Sequence, residues 1–168
     1  MINLKKKAFF FDRDGVINYD KGHITKKKNI ILKQDIQKGL LYIKKKKFLI
    51  FLVTNQSAIG RKLITEKDLI NLHNYLEKKI EKYKKIFDDI EYCPHHPTKG
   101  IGEYKIKCEC RKPGNLMIEK LIYKYNIDRY KSFMIGDKLS DYKTAKKSYI
   151  KFFWSKNYSL YKQLIKII

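Results

Sequence analysis

Asp12-Arg13-Asp14-Gly15 is the first segment of the chain whose residue types and spacing could do chemistry. Two carboxylates two residues apart and followed by glycine suit phosphoryl transfer. One attacks phosphorus to form an aspartyl-phosphate, and the other passes the leaving-group and water protons. Thr54-Asn55-Gln56-Ser57 and Gly136-Asp137-Lys138 are two further polar signatures, and each of the three follows a short apolar run. Asp137 brings a third carboxylate, and repulsion among three requires a cation, for which Mg2+ suits an all-oxygen set. A lone D-x-D is a common turn or cap. Three signatures at the carboxyl ends of three parallel strands would converge on one ligand site.

Cysteine provides a second cluster. The chain has three, Cys93, Cys108 and Cys110, close to His95 and His96 in Cys93-Pro94-His95-His96 and Cys108-Glu109-Cys110. An odd count cannot make a disulfide framework, and nothing in the pattern points to an oxidising compartment. Three thiolates and one imidazole make a tetrahedral zinc site with no open position, hence structural rather than catalytic. Without metal, a polar loop of this length has little reason to hold one shape.

The elements that must position these groups alternate between strand and helix. Ala8–Phe11, Phe48–Val53 and Phe133–Ile135 are apolar without in/out alternation, as expected of strands covered on both faces of a parallel sheet. Ile150–Phe153 is predicted as a last strand. Helical spacing appears in Asp35–Lys46, through Ile36, Leu40 and Ile43, and in Asn115–Tyr125 and Leu139–Lys147. Thr65 with Asp68 forms an N-cap pair opening a long helix with Leu69, Leu72, Leu76, Ile80 and Tyr83 on one face. Leu160–Ile167 is predicted to close the chain as a helix. This succession predicts one doubly wound, Rossmann-like α/β domain over 1–168, with the metal loop inserted at 93–110.

Length and charge bound the rest. At 168 residues and 43% hydrophobic, the chain can build one packed core and is not mostly disordered. Its longest apolar run, Phe48–Val53, is far short of the roughly 20 residues of a membrane span, and Met1–Lys7 lacks a signal-peptide pattern. A soluble, cytoplasmic monomer is expected. The net charge of +22 invites a nucleic-acid reading, yet only four of the 39 basic residues are arginine. Base and phosphate readers favour the arginine fork. The lysine runs Lys5–Lys7, Lys26–Lys28 and Lys44–Lys47 are scattered, as on a solvated surface, so no specific nucleic-acid partner is expected.

Asp12-Arg13-Asp14-Gly15-Val16-Ile17-Asn18, Thr54–Ser57, Arg111-Lys112-Pro113 and Met134–Asp141 together resemble the motifs of the haloacid-dehalogenase phosphatases. Within them, the resemblance is to the heptose-bisphosphate and histidinol-phosphate phosphatases, and it runs from about Phe9 to Lys147. It implies that Asp12 is the nucleophile and Asp14 the general acid/base. Asp12, Asp137 and the backbone carbonyl of Asp14 would ligate Mg2+, and Thr54 and Lys112 would hold the transferring phosphoryl group. Substrate would be bound by Arg13, the loop Asp20-Lys21-Gly22-His23, Asn55, Gln56, Ser57, Arg111 and Lys138. A guanidinium at 111 would suit a second phosphate. The family's Cys-x-His and Cys-x-Cys pairs make Cys93, His95, Cys108 and Cys110 the zinc ligands, with His96 spare.

The chain departs from the family at Gly22-His23, at Ala58-Ile59-Gly60-Arg61-Lys62 and at Asn115-Leu116, positions that bear on the sugar rather than on the reaction class. No second α/β region is large enough for a cap, so an open site is expected. The implied substrate is a heptose 1,7-bisphosphate losing its 7-phosphate on the way to nucleotide-activated heptose for lipopolysaccharide or another surface polysaccharide. Histidinol phosphate, a nucleic-acid 3′-phosphate and a zinc-dependent RNA-binding role are the rivals.

Overall fold

Strand β1 (Ala8–Phe11) is fully buried along its whole length because helices cover both faces of the sheet it centres. The computed structural model describes residues 4–168 apart from 83. Five strands, β1, β2 (Leu49–Asn55), β3 (Asp89–Cys93), β4 (Phe133–Gly136) and β5 (Lys151–Trp154), form one sheet in the order β3-β2-β1-β4-β5. Every neighbouring pair is parallel. The pleat sends alternate residues of β1 to opposite sides. Phe9 and Phe11 meet α1 (Ile36–Lys45), α3 (Glu66–Ile80) and α6 (Leu160–Leu164) through Leu40, Leu76 and Leu164. Ala8 and Phe10 meet α4 (Leu116–Tyr125) and α5 (Leu139–Lys147) through Ile118, Leu121 and Ala145.

The expected doubly wound sheet and its helices are present, with ends shifted by a residue or two. Phe48 is buried just before β2 rather than inside it, and β4 and β5 each run one residue further than expected. The final helix stops at Leu164. The Thr65–Asp68 pair does form a reciprocal capping box at the start of α3. Tyr83, expected to continue that helix's apolar face, lies outside the described residues, as do the first three residues of Met1–Lys7.

Two elements were not anticipated. β3 is an edge strand whose Asp89-Ile90-Glu91-Tyr92-Cys93 mixes polar and apolar residues because its outer edge is only half covered. α2 (Ser57–Gly60) is one buried turn that carries no periodic signal. Among the described residues, no helix is long and apolar enough to cross a membrane.

The strand order matters for the site. β1 lies between β2 and β4, and the chain reverses its direction of progress across the sheet there. The carboxyl ends of β1 and β4 therefore flank the crevice where open α/β sheets bind ligands.

Candidate active site

Asp12 follows β1, Thr54 and Asn55 end β2, and Asp137 follows β4, so the three polar signatures meet at one edge of the sheet. They line a cleft of about 360 Å3 together with Arg111 and Lys112 from the loop before α4. Lys112 is the buried centre of this cleft. Its Nζ donates to the Val53 carbonyl at 2.9 Å and forms ion pairs with Asp12 Oδ1 at 2.9 Å and Asp141 Oδ1 at 2.6 Å. Burial alone would lower the Lys112 pKa, but the charges of Asp12 and Asp141 hold it above the ordinary lysine value. Burial also raises Asp12, against the pull of Lys112. Asp137 is pushed up to about 6 by burial and by the neighbouring Asp12 charge.

The other cleft groups are held by specific partners. Asp14 accepts from Arg13 at both oxygens, Nε to Oδ1 at 3.1 Å and Nη2 to Oδ2 at 2.9 Å. Asn18 Nδ2 adds a bond to Oδ1 at 2.8 Å, and Gln56 Nε2 one to Oδ2 at 3.1 Å. Gln56 also donates to Thr54 Oγ1. Asn55 and the Lys112 main chain exchange two hydrogen bonds, Lys112 N to Asn55 Oδ1 and Asn55 Nδ2 to Lys112 O, which tie the end of β2 to the Arg111-Lys112 segment. Lys138 pairs with Asp20 at 2.8 Å across the cleft mouth and holds the Asp20 carboxyl below its usual range, although burial works the other way.

The structure therefore distributes the implied substrate positions unevenly. Asp20, Gly22, His23, Asn55, Gln56, Ser57, Arg111 and Lys138 line the cleft. Arg13 and Lys21 are not among its lining residues. Arg13 is buried beneath Asp14, where its Nη1 lies 3.4 Å from His73 Nε2. A guanidinium can only donate, so that imidazole nitrogen must be unprotonated. Burial and the Arg13 charge depress the His73 pKa to about 3.

Three site residues carried no assigned role in the sequence reading. Asp141 sat inside a quoted motif, and its carboxylate both binds Lys112 and accepts from the Asp137 and Lys138 amides at the start of α5. Arg61, noted only as part of a variable stretch, lines the cleft. His73 was hidden on the apolar stripe of α3, between Leu72 and Leu76.

Both metal sets have a chemical fit. The ligand oxygens of Asp12, Asp137 and Asp141 lie within 4.8 Å of one another. Asp137 Oδ1 is buried with no hydrogen-bond partner, an expensive state for a carboxylate that a divalent cation would relieve. Cys93, His95, Cys108 and Cys110 form a nearly regular tetrahedron. Their six Sγ and Nδ1 separations run from 3.1 to 3.6 Å. Four ligands about 2.3 Å from a tetrahedral centre would stand ~3.7 Å apart, so the set suits zinc. His96 is not part of it; its Nδ1 accepts from the Thr98 and Lys99 amides.

Two outcomes follow from this geometry. Cys108→Ser is expected to lose the roughly one zinc per chain that metal analysis should find in protein made under reducing, zinc-replete conditions, and to lower activity more than global stability. Protein free of zinc under those conditions would refute the cluster. His73 must stay neutral when folded, whereas the unfolded imidazole takes a proton near pH 6.5. Stability should therefore fall as pH drops from about 6.5 toward 3, by at most ~1.4 kcal/mol per pH unit from this group. Urea unfolding at pH 7.5 and pH 5 should show a smaller difference for His73→Gln than for the natural protein; an equal difference removes His73 from the acid response.

The chain is similar to known proteins over most of its length. Residues 104–155 match the haloacid dehalogenase-like hydrolase family. A D-glycero-beta-D-manno-heptose-1,7-bisphosphate 7-phosphatase of Haemophilus ducreyi is 40% identical over 147 residues, covering 87% of this chain and 80% of that one. The Escherichia coli protein of the same name is 36% identical over 138 residues, covering 82% and 72%. In fold, a crystal structure of D,D-heptose 1,7-bisphosphate phosphatase from B. bronchiseptica, complexed with magnesium and phosphate, superimposes with a TM-score of 0.78 at 24% identity, covering 96% of this chain and 87% of that one. With such identity across most of both sequences, this chain belongs to the haloacid dehalogenase-like hydrolases, in the family of these heptose-bisphosphate phosphatases.

Proposed function

We propose that this protein is a Mg2+-dependent phosphatase that removes the 7-phosphate of D-glycero-D-manno-heptose 1,7-bisphosphate, in the cytoplasm, for nucleotide-activated heptose and surface polysaccharide. The observation that carries the reading is the buried Asp12–Lys112–Asp141 ion network, opening beside the Thr54 hydroxyl and an unpartnered Asp137 oxygen. The relatives' shared name supports the heptose bisphosphate as substrate.

In the proposed reaction, an Asp12 carboxylate oxygen attacks the phosphorus of the 7-phosphate, and the bond to the sugar oxygen breaks. Asp14 delivers a proton to that leaving oxygen. Asp14 then takes a proton from water, which attacks the aspartyl-phosphate and frees Asp12 and inorganic phosphate. Both Asp14 oxygens are engaged by Arg13, Asn18 and Gln56, so proton transfer requires the carboxyl to exchange at least one of these partners for the reacting oxygen. Lys112 opposes the burial that raises the Asp12 carboxyl and holds that side chain in place, and with Thr54 it would supply donors for the phosphoryl oxygens as charge builds on them.

Asp12, Asp137 and the Asp14 carbonyl would hold the Mg2+, whose charge offsets the crowded carboxylates and the incoming phosphate. Arg111, with one Nη committed to the His95 carbonyl at 2.9 Å, keeps its remaining donors for the second phosphate.

Two substitutions test this reading. Asp12→Asn keeps the side-chain shape but removes the attacking charge, so turnover in a phosphate-release assay should drop by several orders of magnitude, roughly what loss of a covalent nucleophile costs, with folding intact. Retained turnover would sink the mechanism. Arg111→Ala should lower kcat/KM on the heptose bisphosphate by about 100-fold while changing that on heptose 7-phosphate little. An equal loss on both would remove the second-phosphate role. Histidinol phosphate and a 3′-phosphorylated oligonucleotide belong in the same panel, and faster hydrolysis of either would replace the heptose assignment.

A further inference from the structure

We propose that Arg61 completes a second anion subsite in the cleft, binding the phosphate that is not transferred and so selecting sugar bisphosphates over monophosphates. The proposal rests on the sugar-bisphosphate reading and adds a specificity-determining residue to it.

The cleft cations fall into two groups. Lys112 is ion-paired with Asp12 and Asp141 and donates to the Val53 carbonyl, and Lys138 is paired with Asp20. Arg61 and Arg111 also line the cleft, and neither belongs to any ion pair of the described residues. Arg61 Nε is moreover buried with no hydrogen-bond partner. A buried donor left unmatched is costly, and more so on a charged group, so an Nε kept in that state is built to receive an acceptor. Two planar forks on one rim suit a phosphate dianion, whose oxygens accept bidentate pairs.

The position of Arg61 is fixed by the same loop that fixes Arg111. Arg61 is the first residue after α2, and Gly60 before it presses on the Cys93–Cys110 loop. The Gly60 carbonyl accepts from Ile101 N at 2.8 Å, and a Cβ at this residue would come 2.5 Å from the Pro94 carbonyl oxygen. Arg111 leaves the far end of the loop and is anchored on His95 O. Both guanidinium groups are thus seated on one scaffold, near enough for the charge of Arg61 to act on Arg111. His23, also on the cleft wall, lies in their field: burial and the charge of Arg61 hold its imidazole below the usual value.

The test compares Arg61→Ala and Arg61→Lys with the natural zinc-loaded protein in Mg2+, using heptose 1,7-bisphosphate and heptose 7-phosphate. Arg61→Ala should lose roughly 10- to 100-fold in kcat/KM on the bisphosphate, the worth of a charge-assisted hydrogen bond, mainly through KM. On the monophosphate it should stay within about twofold of the natural protein, since no second phosphate is there to lose. Arg61→Lys should recover part of the loss, because the charge remains without the fork. Arg61→Ala combined with Arg111→Ala should cost less than the sum of the two, because they share one ligand. Unchanged zinc content and melting temperature exclude a folding defect.

Equal losses on bisphosphate and monophosphate, or no loss on either, would overturn the subsite. If the natural protein does not hydrolyse the heptose bisphosphate, the heptose reading fails separately. Arg61 is then judged on fructose 1,6-bisphosphate against fructose 6-phosphate by the same ratio, and absence of any bisphosphate preference there rejects the subsite too.

Discussion

Three carboxylates crowded at one end of a parallel sheet repel one another, and the arrangement around them is organised to offset that repulsion. Asp12, Asp137 and Asp141 are brought within 4.8 Å by the ends of the two central strands and the first turn of α5. Lys112 neutralises two of them from inside the protein, and the Asp137 and Lys138 amides at the start of α5 steady Asp141. The remaining Asp137 oxygen has no protein partner. The crowding reaches the backbone. Gly15 has φ +85°, and a Cβ there would collide with the Asp137 carboxylate, while one at Gly136 would collide with Asp141. Glycine is required at both because the carboxylates come so close to neighbouring main chain.

A buried ammonium among acids works only if its backbone cannot drift, since breaking one member leaves an uncompensated charge. Two devices hold Lys112. The paired hydrogen bonds with Asn55 lock it to β2, and the Cys93–Cys110 loop docks through Gly60 and Pro94 against α2. The loop that carries the four metal-type ligands meets Gly60 just before Arg61 and runs directly into Arg111 and Lys112, so its shape bears on all three. Arg13 plays the matching part on the other side, buried behind Asp14 with His73 as its far contact.

The three central strands and most of the catalytic set were legible because burial on both faces demands unbroken apolar runs, and each run ends on a polar signature. Asp12, Thr54 and Lys112 line one cleft, and an Asp137 oxygen lies within 4.8 Å of Asp12, although Asp137 is not among the lining residues. What escaped has a physical reason in each case. β3 is an edge strand, so its apolar signal is diluted by Asp89 and Glu91. Arg13 reads as a cleft cation in the sequence, but the fold buries it, and only the fold reveals its partners, Asp14 and His73. Arg61 stood only within a stretch that departs from the family; its cleft position depends on a contact between α2 and a loop more than thirty residues later, which no local pattern encodes.

The large positive charge is the remaining feature, and its distribution separates surface from site. Several lysines hold their ammonium groups over aromatic rings, Lys7 over Phe48 and Lys38 over Tyr161 at 4.2 Å each, while Lys44 pairs with Asp88. Such lysines cover apolar surface while keeping their charge in water, where salt screens it within about 10 Å. The cleft cations differ in kind. Lys112 and Arg61 Nε are removed from solvent, so their fields are screened far less and act at contact range. Diffuse surface charge draws an anion toward the molecule, and within the cleft the buried Arg61 Nε keeps a directional donor that no protein acceptor takes.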